Sequence, residues 1–137
     1  NGHMNTVSYT RCFDGCWGQM YTDMGFDDDY FNNGYSSFTL EENLKYFKEF
    51  LEGDSIYPSF RIVGLNRKCI HILGCLLDSE NNICTVYETV LGHIDMNLRK
   101  IIEMDDSFFK SITSLKHSHD NLGSIPFDLR LAVKESV

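Results

Sequence analysis

The stretch TLEENLKYFKEFL, residues 39–51, reads two ways, and the fold turns on which is right. Thr39 followed by Glu42 is a capping-box pattern, and Leu40, Leu44, Phe47 and Leu51 then share one helical face. Phe38, Leu40, Leu44, Tyr46 and Phe50 equally share one face of a strand, interrupted by Glu42 and Lys48. Pattern alone tilts slightly toward the helix. Upstream, residues 6 to 25 carry the clearest periodicity. Tyr9, Cys12, Phe13, Cys16, Trp17, Met20, Tyr21 and Met24 recur at three- and four-residue steps as one apolar stripe, with Asn5 as N-cap and Gly25 as stop. Gly15 and Gly18 inside this helix cost about 1 kcal/mol each relative to alanine, which suggests that another backbone passes close by. Residues 26 to 37 read as an acidic, aromatic, Gly/Asn-rich loop.

Downstream, Gly53-Asp54 marks a turn, and three strand-like runs follow: Ser55 to Leu65, Lys68 to Asp78 and Ile83 to Asp95. Glu80-Asn81-Asn82 is the hairpin loop between the last two. Residues 105 to 121 predict a helix with Phe108, Phe109, Ile112 and Leu115 on one side, and Gly123 to Val137 carries no clear signal. One long helix followed by a strand meander predicts an α+β fold, with the helix packed on a single sheet.

A chain of 137 residues, 42% hydrophobic and 13% aromatic, is the size and composition of one globular domain. A net charge of −8 repels a phosphate backbone and argues against nucleic-acid binding, although a local basic patch can still hold a small anion. No apolar stretch is long enough to cross a bilayer, so no membrane partner is expected. Five cysteines without a CxxC pair point to reduced thiols in a cytoplasmic protein, with Cys12 and Cys16 as small core residues. Asp27-Asp28-Asp29 lacks the alternating spacing of a metal loop and reads as solvated. No Gly-x-Ser-x-Gly elbow, P-loop or GxGxxG fingerprint is present.

Asn1-Gly2-His3-Met4-Asn5 lies directly before the long helix. A helix N-terminus presents unpaired N–H groups and partial positive charge, which suits the oxyanion formed when a thioester carbonyl is attacked. Glycine allows close approach of that carbonyl, and asparagine can cap the helix while orienting a water. On the residues alone, an ordinary Gly/Asn turn before a capped helix is the simpler reading.

The run NGHMN, then Tyr9, Phe13-Asp14 and Trp17, then Ser37-Phe38-Thr39-Leu40-Glu41, Tyr46 and Glu49, resembles the hot-dog thioesterases, nearest to the betainyl-CoA thioesterase type. Gly92-His93-Ile94-Asp95-Met96 followed by Arg99-Lys100 is similar to the same branch, so the resemblance spans roughly residues 1 to 100 in one register. It implies an antiparallel sheet wrapped around one long central helix, plus a C-terminal helix, and therefore a strand over residues 39–51. It also implies hydrolysis of an acyl-CoA without metal or cofactor, and a homodimer or homotetramer paired through sheet edges. Members of this family usually carry an aspartate two residues before the position of Asn1, and their first strand precedes it.

By the same resemblance, Glu41 is the candidate general base on water, placed on the strand face toward the helix; a solvent-facing glutamate beside Glu42 is the alternative. Gly2, His3 and Asn5 form the oxyanion site, with the His3 backbone N–H favoured over its imidazole. Met4, Tyr9, Trp17, Phe38 and Asn43 are expected at the substrate; the family often has histidine where Asn43 stands. Arg99 and Lys100, like Arg67 and Lys68, can meet CoA phosphates or simply lie in solvent. His71, His117 and His119 are expected to have no chemical role. Trp17 and the tyrosines could box a trimethylammonium head, although aromatic helix residues are more often core. A non-catalytic hot-dog module that binds acyl-CoA or regulates a partner is the competing reading, with a hot-dog dehydratase third.

Overall fold

The computed structural model describes residues 2–134. In chain order its elements are α1 (Thr6–Gly15), α2 (Gly18–Met24), α3 (Asp28–Asn32), β1 (Tyr35–Tyr46), β2 (Tyr57–Leu65), β3 (Cys69–Leu77), β4 (Ile83–Asp95), β5 (Lys100–Ile101) and α4 (Asp106–Asp120). The four long strands form an antiparallel sheet in the order β1-β4-β3-β2, with β5 paired to the end of β4. The helices lie on one face of it, so the expected α+β layering holds, C-terminal helix included.

The single helix expected over residues 6 to 25 is two helices. Gly15 ends α1 and Gly18 begins α2, and neither glycine has any atom within contact distance of a built Cβ. They mark a break, where helix propensity is lowest, and no backbone packs against them. The apolar stripe survives because Trp17 keeps helical angles and accepts the Tyr21 N–H at 2.8 Å. Tyr9, Phe13, Trp17, Met20 and Met24 are all buried, while Cys12 and Cys16 are only partly so. Gly25 stops α2 in the left-handed region at φ 83°, as expected of a terminating glycine.

Residues 39–46 are strand, but the strand starts earlier and ends earlier than expected. Tyr35 to Ser37 belong to β1, and α3 occupies part of the expected loop, capped by Asp27 through the Tyr30 N–H at 2.9 Å. Phe47 and Lys48 leave the strand, both donating to the Cys84 carbonyl. A β-bulge between Thr39 and Glu41 shifts the pairing with β4, so Phe38 opposes Gly92 whereas Glu41 opposes Val90. The extra residue reverses which side chains face the helices. Tyr35, Ser37, Thr39, Glu42, Leu44 and Tyr46 share the helix face with Tyr87, Thr89 and Leu91; Glu41 and Asn43 share the outer face with Glu88 and Val90.

The inner face is the core. Ile70, Ile72 and Leu76 of β3 and Ile62 and Leu65 of β2 pack with the helix stripe. Gly74 is required there, because a Cβ would lie 2.8 Å from the Phe60 ring and 3.1 Å from Phe13. The far edge of β2 is met by α4, where the His119 Nδ1 accepts the Ile62 N–H at 2.9 Å.

Residues 123–134, silent in the sequence, lie across the outer face. Arg61 donates twice to the Gly123 carbonyl at 3.1 Å, Asn66 donates to the Lys134 carbonyl at 2.7 Å, and a Val133 methyl sits over Gly64. Their anchor is Glu88, 1% exposed, whose carboxylate accepts from Arg130 N–H at 2.8 Å, Leu131 N–H at 3.0 Å and His71 Nε2 at 3.0 Å. His71 therefore has a structural partner in the outer layer. Among the described residues, no helix is long and apolar enough to cross a membrane.

Candidate active site

The chain enters α1 through a short extended segment. Met4 N–H donates to Phe50 O at 2.9 Å and Glu52 N–H to Gly2 O at 2.9 Å, which makes His3 and Leu51 an antiparallel bridge. In this bond pattern the two hydrogen bonds flank the pair, and the N–H and C=O of His3 point away from Leu51. Gly2 turns the segment at φ 70°, a left-handed value that glycine adopts without a Cβ penalty. Asn5 ends it and caps α1, its Oδ1 accepting the Ser8 N–H at 3.0 Å. The Thr6 and Val7 amides in the first turn precede any intrahelical acceptor. Asn1 lies outside the described residues.

A cleft of about 400 Å³ opens beside this segment, lined by Gly2, His3, Met4, Leu51, Glu52 and Asp54. Asp54 Oδ2 is held by the Leu51 N–H at 2.7 Å. Glu52 is exposed, and its backbone is fixed against Gly2. Sequence reading missed both carboxylates, because residues 52–54 look like a bare Gly-Asp turn and only pairing with residues 2–4 brings them here. An outward N–H next to a helix N-terminus is an arrangement that can hold a developing oxyanion, and the adjoining cleft has carboxylates on its wall.

The other expected site residues divide into three groups. Glu41 does not face the helix, because the bulge turns it to the outer face opposite Val90. Glu42 takes the inner position, and its Oε1 accepts the Tyr87 hydroxyl at 2.6 Å. Burial and this carboxylate push the Tyr87 pKa up, so the phenol remains a donor. Asn43 follows Glu41 to the outer face, opposite Glu88. Tyr9 and Trp17 are core residues. Tyr9 is 4% exposed and accepts the Phe50 N–H at 3.1 Å, and Trp17 is stacked on Phe60 with centroids 4.6 Å apart. Trp17 therefore does not form an open cation box.

Phe38, Arg99 and Lys100 form the third group, at the opposite end of the sheet. Phe38 is exposed with the Arg99 guanidinium 6.0 Å from its ring centroid, and Lys100 pairs with Asp95. Between the Thr85–Tyr46 and Asp95–Tyr35 pairs lie ten strand residues, about 33 Å. Since the cleft lies beyond Tyr46, whose ring touches Tyr9 at 4.9 Å, one protomer does not bring these basic residues to it. Arg67 is bound locally, with its Nη2 2.7 Å from Asp106 and its guanidinium 4.8 Å over Phe109. Among the described residues, no group of three His, Cys, Asp or Glu side chains could hold a metal ion.

The profile of the thioesterase-like superfamily matches residues 1–112. The chain belongs to that superfamily. Relatives of this thioesterase-like chain include the L-carnitine dehydrogenase/betainyl-CoA thioesterase of Rhizobium sp., 23% identical over 123 residues, 89% of this chain and 25% of the relative. The betainyl-CoA thioesterase of Pseudomonas aeruginosa is 24% identical over 121 residues, 87% of this chain and 76% of the relative. The chain thus spans about a quarter of the fused relatives it matches. A hypothetical protein of Staphylococcus aureus solved in complex with CoA superimposes with a TM-score of 0.82 at 22% identity, covering 98% of this chain and 86% of that one. The fold is the α+β hot-dog arrangement.

Proposed function

We propose that the protein hydrolyses acyl-CoA thioesters with a small acyl group, betainyl-CoA being the substrate its relatives' names suggest. The observation that carries this reading is the outward His3 N–H at the mouth of α1, beside the cleft that Gly2 and Met4 line. Water adds to the thioester carbonyl, the oxyanion is held by the His3 N–H and the first turn of α1, and a carboxylate accepts the water's proton. The tetrahedral intermediate then collapses, the C–S bond breaks, and CoA leaves as thiolate and takes up a proton. In this reading the carboxylate is Glu52, which lines the cleft and, unlike Asp54, is not engaged by the Leu51 N–H. Glu41→Gln is accordingly expected to change kcat by no more than about threefold, the scale of a surface substitution, where loss of a general base costs about 100- to 10,000-fold. A hundredfold loss in steady-state CoA release by Glu41→Gln would reverse this placement.

The working unit in this reading is a homodimer or a homotetramer of two such pairs. β1 is twelve residues long, paired to β4 on one side only, and it exposes Phe38, Leu40 and Tyr46 at 40%, 43% and 45%. A long apolar edge strand of this kind seeks a partner. Antiparallel pairing of two β1 edges around a two-fold sets one protomer's Tyr35 end against the partner's Tyr46 end. Phe38, Arg99 and Lys100 would then approach the partner's cleft, which reunites residues about 33 Å apart in a single protomer. Sedimentation velocity at micromolar concentration is expected to give a dimer or tetramer. A monomer there would leave the CoA phosphates without these cations and count against the site.

A further inference from the structure

A second cavity, of about 320 Å³, opens where α2, α3 and α4 meet the start of β1 and the end of β4. Its volume falls at the lower end of the roughly 300–1,000 Å³ typical of small-molecule pockets. Aromatic rings make the wall: Tyr30 and Phe108 stack at 5.1 Å, and Tyr35 lies 4.9 Å from the His93 ring. Two carboxylates join them, each fixed at one oxygen. Asp27 Oδ1 accepts the Tyr30 N–H at 2.9 Å and Asp105 Oδ1 accepts the Phe108 N–H at 2.8 Å. Neither carboxylate has a cationic partner among the described residues, and no lysine or arginine lines the cavity.

The imidazole adds a further acceptor. Tyr30 Oη lies 2.9 Å from the Ser36 carbonyl and 2.8 Å from His93 Nδ1. The hydroxyl has one proton and a carbonyl only accepts, so that proton goes to Ser36 and the His93 Nδ1–H donates to the phenol oxygen. His93 is 4% exposed, and burial pushes its pKa down, which favours the neutral ring. Its Nε2 then carries a lone pair and has no hydrogen-bond partner among the described residues. Ring faces, carboxylate oxygens and an imidazole lone pair, with no basic side chain, repel the phosphates of CoA and attract positive charge.

We propose that this cavity binds a small organic cation of the trimethylammonium class, as the pocket for the acyl head of the substrate. The second half rests on the thioesterase reading above and on its β1 pairing, in which the Tyr35 end of one protomer, and this cavity with it, flanks the partner's cleft.

The test uses choline and its uncharged carbon isostere 3,3-dimethylbutan-1-ol, titrated by NMR into the intact protein. Choline is expected to bind at least about tenfold more tightly than the isostere, a difference of about 1.4 kcal/mol. Asp27→Asn with Asp105→Asn removes both charges while asparagine still caps each helix, so Tm should hold while choline affinity falls about tenfold. Equal binding of choline and its isostere, or unchanged choline affinity in the double variant, would overturn the proposal. Hydrolysis distinguishes the two layers of the argument. The ratio of kcat/KM for betainyl-CoA over 3,3-dimethylbutanoyl-CoA should fall about tenfold in the double variant. Choline binding without hydrolysis of any acyl-CoA would keep the cation pocket and remove the thioesterase reading. Hydrolysis without charge discrimination, in a protein that does not bind choline, would do the reverse.

Discussion

Replacing His3 with proline is expected to lower kcat for acyl-CoA hydrolysis by about 100- to 1,000-fold, the cost of losing one oxyanion donor. His3→Ala, which keeps the backbone N–H, should stay within a few-fold of the parent. The contrast is informative because the bridge at His3 is held by the Met4 and Glu52 amides, so neither of its hydrogen bonds uses the His3 N–H. Proline therefore deletes the proposed donor without breaking the pairing that carries it. The loss should fall on kcat and leave KM nearly constant, because the interaction forms only as charge develops on the carbonyl oxygen. Thermal unfolding of both variants supplies the control, with closely similar Tm values expected. Equal activities of His3→Pro and His3→Ala would move the oxyanion site off this residue. A comparable loss in His3→Ala would assign the role to the imidazole.

Glu88→Ala is expected to cost about 3–5 kcal/mol of folding stability, the usual cost of breaking a buried pair from one side. Glu88 is 1% exposed and His71 2% exposed, and the same carboxylate accepts the Arg130 and Leu131 amides. Alanine would strand the buried His71 donor and remove the acceptor of the two half-buried amides. For a domain of this size the loss corresponds to a fall in Tm of about 10–15 °C. Glu88→Gln, which retains one carbonyl acceptor, should lose less. Residues 123–134 depend on this anchor, so trypsin should cut at Arg130 sooner in either variant. A Tm within 2 °C or so of the parent for Glu88→Ala would mean that the outer layer is not fastened at Glu88.

Much of the fold was legible because its periodicities are local. The stripe from Tyr9 to Met24, the strand run Ile83 to Asp95 and the helix of residues 106–120 each follow from which side chains must be buried. Residues 39–46 were not legible from pattern alone. Phe38, Leu40, Leu44 and Tyr46 fit a period of two, but a helix fits the stretch as well, and the bulge splits the four, with Phe38 opposite Gly92 on the outer face and Leu44 and Tyr46 on the inner one. The helix-facing position of Glu41 rests on the family resemblance alone, and the bulge turns the side chain to the outer face opposite Val90 instead.

The break between α1 and α2 leaves the apolar stripe intact, so only Gly15 and Gly18 mark it in the sequence, where a helix break and a close backbone contact give the same signal. The outer layer was hidden for a different reason. Glu88 lies in an apolar strand run, but its partners at Arg130 and Leu131 are backbone amides more than forty positions on, which no side-chain pattern records. Of the candidate site, the Gly2–Asn5 entry to the helix was readable, and the carboxylates of residues 52 and 54 in the adjoining cleft were not. The aromatic cavity had a signal, in the density of Phe26, Tyr30 and Tyr35 within an acidic loop, but their convergence with His93 and Phe108 is tertiary.

The most direct measurement is release of free CoA, followed with a thiol-reactive dye, by the full-length protein over a panel of acyl-CoAs. The panel should include betainyl-CoA, acetyl-CoA and longer neutral acyl chains. The proposed site predicts turnover of the small acyl-CoAs, with betainyl-CoA preferred and the rate dependent on the His3 N–H. No CoA release from any member of the panel, by a protein shown to be folded and dimeric or tetrameric, would contradict hydrolysis and leave a module that binds acyl-CoA without cleaving it.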